Sequence, residues 1–129
     1  MKRFHLGFGA FFLLVFVLTG QYMDHVHGHL DGMDVGPRLL YRTRHIFILF
    51  VALLHLALGT YLQPGSRPTR LLGQWVGSSL IALSGGLFVA GFVYEPGWRD
   101  LHTPFTHWGA YSVLAGVLLH AVVGRHPSN

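Results

Sequence analysis

Apolar residues in this chain follow neither the strict alternation of half-buried strands nor the one-sided stripe of helices packed in water. They gather into four long runs, separated by short polar stretches and followed by a polar tail. A helix needs about 20 apolar residues to cross the hydrocarbon core of a bilayer. The runs at 4–22, 39–62, 71–94 and 104–123 meet that length. The pattern therefore predicts an all-α fold: an integral membrane four-helix bundle, up-down-up-down with short loops, forming one domain over 1–129. Four spans use nearly the whole chain, so function must lie between the helices or in the loops.

The polar punctuation refines this layout. The first run follows Met1, Lys2 and Arg3 and also has the shape of a signal peptide, with Thr19 and Gly20 at the cleavage position; we read it as a retained helix. Its Phe8, Phe11, Phe12 and Phe16 predict the most lipid-exposed helix of the four. Residues 21–38, QYMDHVHGHLDGMDVGPR, form the first connection, and Pro37 suits the start of a helix. QPGSRPTR at 63–70 reads as a turn, and EPGWRDLHT at 95–103 as a surface loop. In the third run Gly73 and Gly77 make a GxxxG pair, and Gly77, Ser84 and Gly91 recur every seventh residue. That stripe of small residues permits close helix approach. The glycine density exceeds what a self-contained bundle of this size requires, which motivates a rival reading: a structural subunit or assembly factor that packs through this helix into a larger membrane complex or homo-oligomer.

Composition supports the membrane assignment. With 51% apolar and only 11% charged residues, the chain falls outside the range of ordinary soluble domains. Its net charge of +4 comes from basic residues that flank the apolar runs, so they read as anchors to the lipid bilayer and not as a nucleic-acid surface. With the N-terminus inside, Lys2, Arg3, Arg67, Arg70 and Arg125 face Arg38, Arg42, Arg44 and Arg99 across the membrane, a margin of one. This places the protein in a bacterial inner membrane with both termini cytoplasmic. All five acidic residues, Asp24, Asp31, Asp34, Glu95 and Asp100, then fall outside and none lies within a span, which argues against a carboxylate-based ion pump. Cysteine is absent, which excludes disulfides, thiolate metal sites and covalent c-type haem attachment. No phosphate loop, nucleophile motif or HExxH zincin motif is present, so the chain is not expected to be an enzyme.

The candidate chemistry is carried by histidines. His45 and His55 lie on the second predicted span, His107 and His120 on the fourth, and His55 and His120 fall within the bilayer. The two spans run in the same direction, which places His45 near the depth of His107 and His55 near that of His120. Such matched imidazoles suit a haem b or a metal ion between helices. Gly85, Gly86 and Gly116 offer room for a flat macrocycle, and Arg42, Arg44 and Arg99 offer partners for its propionates. At 100° per residue, however, the steps leave His45 and His55 about 80° apart and His107 and His120 about 140° apart, which favours one haem over two. The plainer alternative is that each imidazole hydrogen-bonds a serine, tyrosine or carbonyl on a neighbouring helix. A second cluster, His25, His27, His29, Asp31 and Met33, joined by His102, offers the imidazole, carboxylate and thioether ligands of copper or zinc. If 25–29 is extended, alternate side chains share one side and two or three can share an ion. The chain is accordingly expected to be an accessory or carrier that binds a transition metal or haem.

Overall fold

A computed structural model describes residues 1–124, and Arg125 of the orientation argument lies outside them. Four helices follow in order: α1 (Lys2–His25), α2 (Val35–Tyr61), α3 (Pro68–Tyr94) and α4 (Pro104–Gly124). Short 3-10 turns at Gly28–Leu30 and Glu95–Gly97 sit in two of the connections. All four helices are long and apolar enough to cross a membrane. Pro37 falls in the first turn of α2 and Pro68 opens α3, where a missing N–H breaks no helical hydrogen bond.

Neighbouring helices run antiparallel, and the closest approaches are made through glycines. Gly9 of α1 receives Leu56 of α2, and Gly59 of α2 receives Leu6 of α1, each leucine reaching within 2.7 Å of where a Cβ would stand. On α3 and α4, a Cβ at Gly116 would lie 2.7 Å from the Gly77 carbonyl oxygen, so these two backbones touch. Gly73 faces Val123, Gly109 faces Phe88, and Gly85 is covered by the Phe12 ring of α1. The glycines of the third helix are thus used inside the chain. Gly86 is the exception, with nothing within 4 Å of its Cβ position. The observation that motivated an assembly role for this stripe is accounted for by packing within one molecule.

Extensive packing joins α3 to α4 and α1 to α2, with α2 and α3 joining the two pairs. The least buried helix is α4, with 11% of its span buried against 17% for α1, so the phenylalanine-rich first helix is not the most lipid-exposed member. Phe12, whose ring fills the Gly85 notch, is the reason α1 is drawn inward.

Across the middle of the bundle lies an apolar core of Phe12, Ile48, Val51, Ala52, Ile81, Phe88 and Phe92. Within it only the Ser84 hydroxyl is polar among the described side chains, donating to the Ile81 carbonyl at 2.7 Å, and the other buried polar side chains lie on either side. One group lies toward the face that carries the N-terminus, the α2–α3 turn and the end of α4, here called the terminal face. The other lies toward the loop face, where α1 meets α2 and α3 meets α4. At the terminal face the buried Gln74 accepts from the Gly65 N–H at 2.8 Å and donates to the Gln63 carbonyl at 3.0 Å, which ties down the α2–α3 turn. Arg70 donates to the carbonyls of Val123 and Gly124, closing the end of α4.

Replacing Gly116 by leucine forces α3 and α4 apart and is expected to cost about 2 kcal/mol or more, in the range of overpacked interiors. Gly86→Leu is expected to change stability by less than about 0.5 kcal/mol. Unfolding of each variant in mild detergent by added SDS measures both, and equal losses would contradict the assignment of inner and outer glycine faces.

Candidate functional site

An imidazole inside hydrocarbon must be satisfied by protein. Of the two histidines expected within the bilayer, His55 is met by a third histidine and His120 by a serine hydroxyl that this third histidine shares. His5, about one turn into α1, and His55, about two turns before the end of α2, are both completely buried. Their Nδ1 atoms share a hydrogen across 2.9 Å. Such a bond needs one nitrogen with hydrogen and one bare, so at least one of the two rings is uncharged. On its other side, His5 Nε2 lies 2.9 Å from the hydroxyl of the buried Ser78 on α3. His120 of α4 approaches the same oxygen with its Nε2 at 3.2 Å. Three imidazoles and a serine from four different helices therefore form a chain, His55 to His5 to Ser78 to His120.

The hydroxyl also reaches its own helix, donating to the Gln74 carbonyl at 2.7 Å. With its hydrogen so used, both Nε2 atoms donate to it, which leaves His55 Nε2 and His120 Nδ1 as bare lone pairs. These two atoms are buried and have no hydrogen-bond partner. Aromatic rings wall the cluster: Phe8 and Phe12 stack on His55 with centroids 5.6 and 6.1 Å away, and Phe4 packs edge-on against His5 at 5.4 Å.

His55 and His120 thus turn inward, as the positions of Ala52, Gly59 and Gly116 on their helices imply, but neither matched pair expected of a bis-histidine haem forms. The reason is that α4 packs on α3 and not on α2. His45 stacks on Phe16 of α1 at 4.0 Å and bonds Thr19 at 2.9 Å. His107 is exposed and donates to the Thr103 carbonyl of its own helical turn at 2.7 Å. The room expected beside Gly85 is filled by Phe12, that beside Gly116 by Ile81 and the Gly77 carbonyl, and Gly86 faces outward. The plainer alternative, imidazoles bonded to serine and threonine hydroxyls on neighbouring helices, describes His5, His45 and His120.

The polar connection is not extended. Helix α1 continues through His25, and Gly28, His29 and Leu30 follow with φ of 52°, 60° and 65°, a left-handed turn that buries Leu30. Its side chains disperse. His25 bonds Gln21 at 2.9 Å, His27 sits between Tyr22 and Tyr41, His29 pairs with Asp24, and Asp31 is exposed. Met33 is half-buried, and His102 stacks on Trp98 in the other connection at 6.3 Å. Among the described residues no three His, Cys, Asp or Glu side chains are gathered so as to hold a metal ion. Arg42 is exposed and lines an open recess with Asp24 and His29.

Toward the loop face, Arg44 is committed elsewhere. Its Nε and Nη2 both lie 2.8 Å from Oε2 of Glu95, and the pair is buried. Glu95 is not in an exposed loop but completely enclosed, and its Oε1 accepts the Thr106 N–H at 2.9 Å while Oε2 accepts the Thr106 hydroxyl at 2.6 Å. The carboxylate thereby satisfies a free N–H in the first turn of α4 and ties it to α2 through Arg44.

Sequence reasoning missed three of these groups. His5 was hidden by its place at the start of an apolar run, but a signal existed: HLGFG at 5–9 and HLALG at 55–59 share H-L-x-x-G, and the two copies are the segments whose leucines and glycines interlock. Ser78 and Glu95 carried no comparable mark.

Glu95→Ala leaves the Arg44 guanidinium buried and unpaired and is expected to cost about 3–5 kcal/mol, whereas Arg44→Met combined with Glu95→Leu recovers most of that loss. The same detergent unfolding reads this, and a loss below about 1 kcal/mol for Glu95→Ala would mean that the pair is hydrated.

The chain matches no protein-family profile, no curated protein and no solved structure, so its function is argued from these residues alone.

Proposed function

We propose that this small four-helix membrane protein is an accessory or carrier that takes up one transition-metal cation at the His5–Ser78–His120 junction, and that it catalyses no reaction of its own. The observation that carries the reading is convergence. Imidazole nitrogens from the first and last helices point at one buried oxygen, at 2.9 and 3.2 Å, in a chain whose hydrophobic interior tolerates polar groups only at a cost. Imidazole is the common ligand of copper, zinc, iron and nickel. A ligand imidazole usually donates its second N–H to a partner that fixes its orientation, and His55 stands in that position behind His5.

The site lies within about two turns of the terminal face on α1, α2 and α4. Beyond it stands the apolar core of Phe12, Ile48, Val51, Ile81 and Phe88, where the buried Ser84 hydroxyl is committed to the Ile81 carbonyl of its own helix at 2.7 Å. That favours a cation held and handed back on one side over one conducted across. In this reading any larger membrane complex is the recipient or donor of the ion.

Protein reconstituted in lipid nanodiscs and exposed singly to copper, zinc, iron, nickel and cobalt is expected to retain one equivalent of at least one of them after desalting, by elemental analysis. His5→Ala combined with His120→Ala is expected to retain none, while replacing His25, His27 and His29 by alanine leaves retention unchanged. Wild-type protein that comes through the whole panel free of metal would end this proposal.

A further inference from the structure

We infer that the cation is copper in its monovalent state, an inference that rests on the metal-binding reading above and adds the identity and charge of the ion. The first argument is electrostatic. All five acidic side chains, Asp24, Asp31, Asp34, Glu95 and Asp100, belong to the connections at the loop face or the helix ends next to them, across the apolar core from the cluster. Around the cluster itself the side chains are imidazoles, a hydroxyl, a carboxamide and aromatic rings, and the charged groups of the described residues toward that face are the Met1 amine, Lys2, Arg3, Arg67 and Arg70. The cost of moving an ion out of water grows with the square of its charge, so a dication here pays about four times what a monocation pays, with no carboxylate to offset it.

The second argument is coordination number. Two nitrogens, His5 Nε2 and His120 Nε2, meet at one place, with the Ser78 hydroxyl as the third neighbour. Zinc in protein sites takes four ligands in a tetrahedron. Monovalent copper, a closed-shell ion with no demand for four ligands, can be held by two imidazole nitrogens, a donor type that copper takes, with the hydroxyl as a weak third neighbour.

The third is the hydrogen inventory. For His5 to offer a bare Nε2 to the ion, its hydrogen must sit on Nδ1, and there it can donate only to His55 Nδ1, 2.9 Å away. His55 has a bare Nδ1 to receive it once its own hydrogen moves to Nε2, the atom that now lacks a partner. Loading therefore reverses the direction of the His5–His55 hydrogen bond and shifts the His120 hydrogen from Nε2 to Nδ1, with no net proton uptake or release. His55 acts as a positioning residue and not as a ligand.

The test is competition under anaerobic, reducing conditions. Nanodisc-embedded protein is titrated against the copper(I)–bicinchoninate complex, and in parallel with zinc(II) against a chromophoric zinc chelator. The expected result is one copper(I) per chain, bound at least about 100-fold more tightly than zinc(II). His5→Ala and His120→Ala are each expected to lose about 100-fold or more in copper(I) affinity, and His55→Ala about 10-fold, with recovery in His55→Gln, whose amide oxygen can accept the His5 hydrogen. X-ray absorption on the wild-type complex, which needs no variant to fold, is expected to show a two- or three-coordinate shell of nitrogen and oxygen. Zinc(II) bound as tightly through the same histidines would overturn the copper assignment and leave the metal-binding reading standing. A sulfur neighbour, or copper affinity lost only when the 25–29 histidines are removed, would overturn the site. Absence of binding by either ion would overturn both.

Discussion

Hydrocarbon supplies no hydrogen bonds, and the polar contacts of this bundle answer that one constraint. Polar side chains enclosed by the helices need partners inside the protein, and where those partners lie on different helices, meeting them fixes how the helices sit. His5 ties α1 to α2 through His55 and to α3 through Ser78, and His120 brings α4 to the same hydroxyl. At the other end Glu95 collects Arg44 from α2 and Thr106 from α4. Between these two polar layers the apolar core is held by shape, with phenylalanine rings set against Gly85 and Gly109, and the Ser84 hydroxyl buried within it is met by its own helix.

The two layers differ in kind. Around Glu95 both carboxylate oxygens and the guanidinium find donors and acceptors at 2.6 to 2.9 Å, as expected of a structural tie. The histidine layer is incomplete, since His55 Nε2 and His120 Nδ1 are enclosed without partners. An unmet buried polar atom costs about 1–3 kcal/mol, and His27 Nε2 in the first connection is another. The convergence of His5 and His120 on one hydroxyl is what supports the proposed reading of this end of the molecule as a site.

The glycine pattern shows how the same residues support two readings until neighbours are known. Seven-residue spacing on α3 signals a face for close packing but does not say whether the partner is another helix of the chain or another protein. Gly116 resolves it, since its backbone meets Gly77 and leaves no room there for an external helix. With α4 held against α3, His120 is carried to Ser78 and away from the α2 histidines with which it was expected to pair.

The sequence by itself determined what is local and what the bilayer demands: four helices, their ends to within a few residues, their alternation, and the inward faces of His55 and His120. Those features follow from run length, helical period and the cost of polar groups in lipid, none of which depends on which helix lies beside which. Partnership was decided only by the tertiary structure. His5 and His55 stand 50 residues apart, Ser78 and His120 42 apart, and Arg44 and Glu95 51 apart, and each pair meets because glycine contacts set which helices touch and at what height. Helical period gives an angle around one axis but no distance between two, and that is why the histidine chain and the buried ion pair became visible only once the helices were assembled.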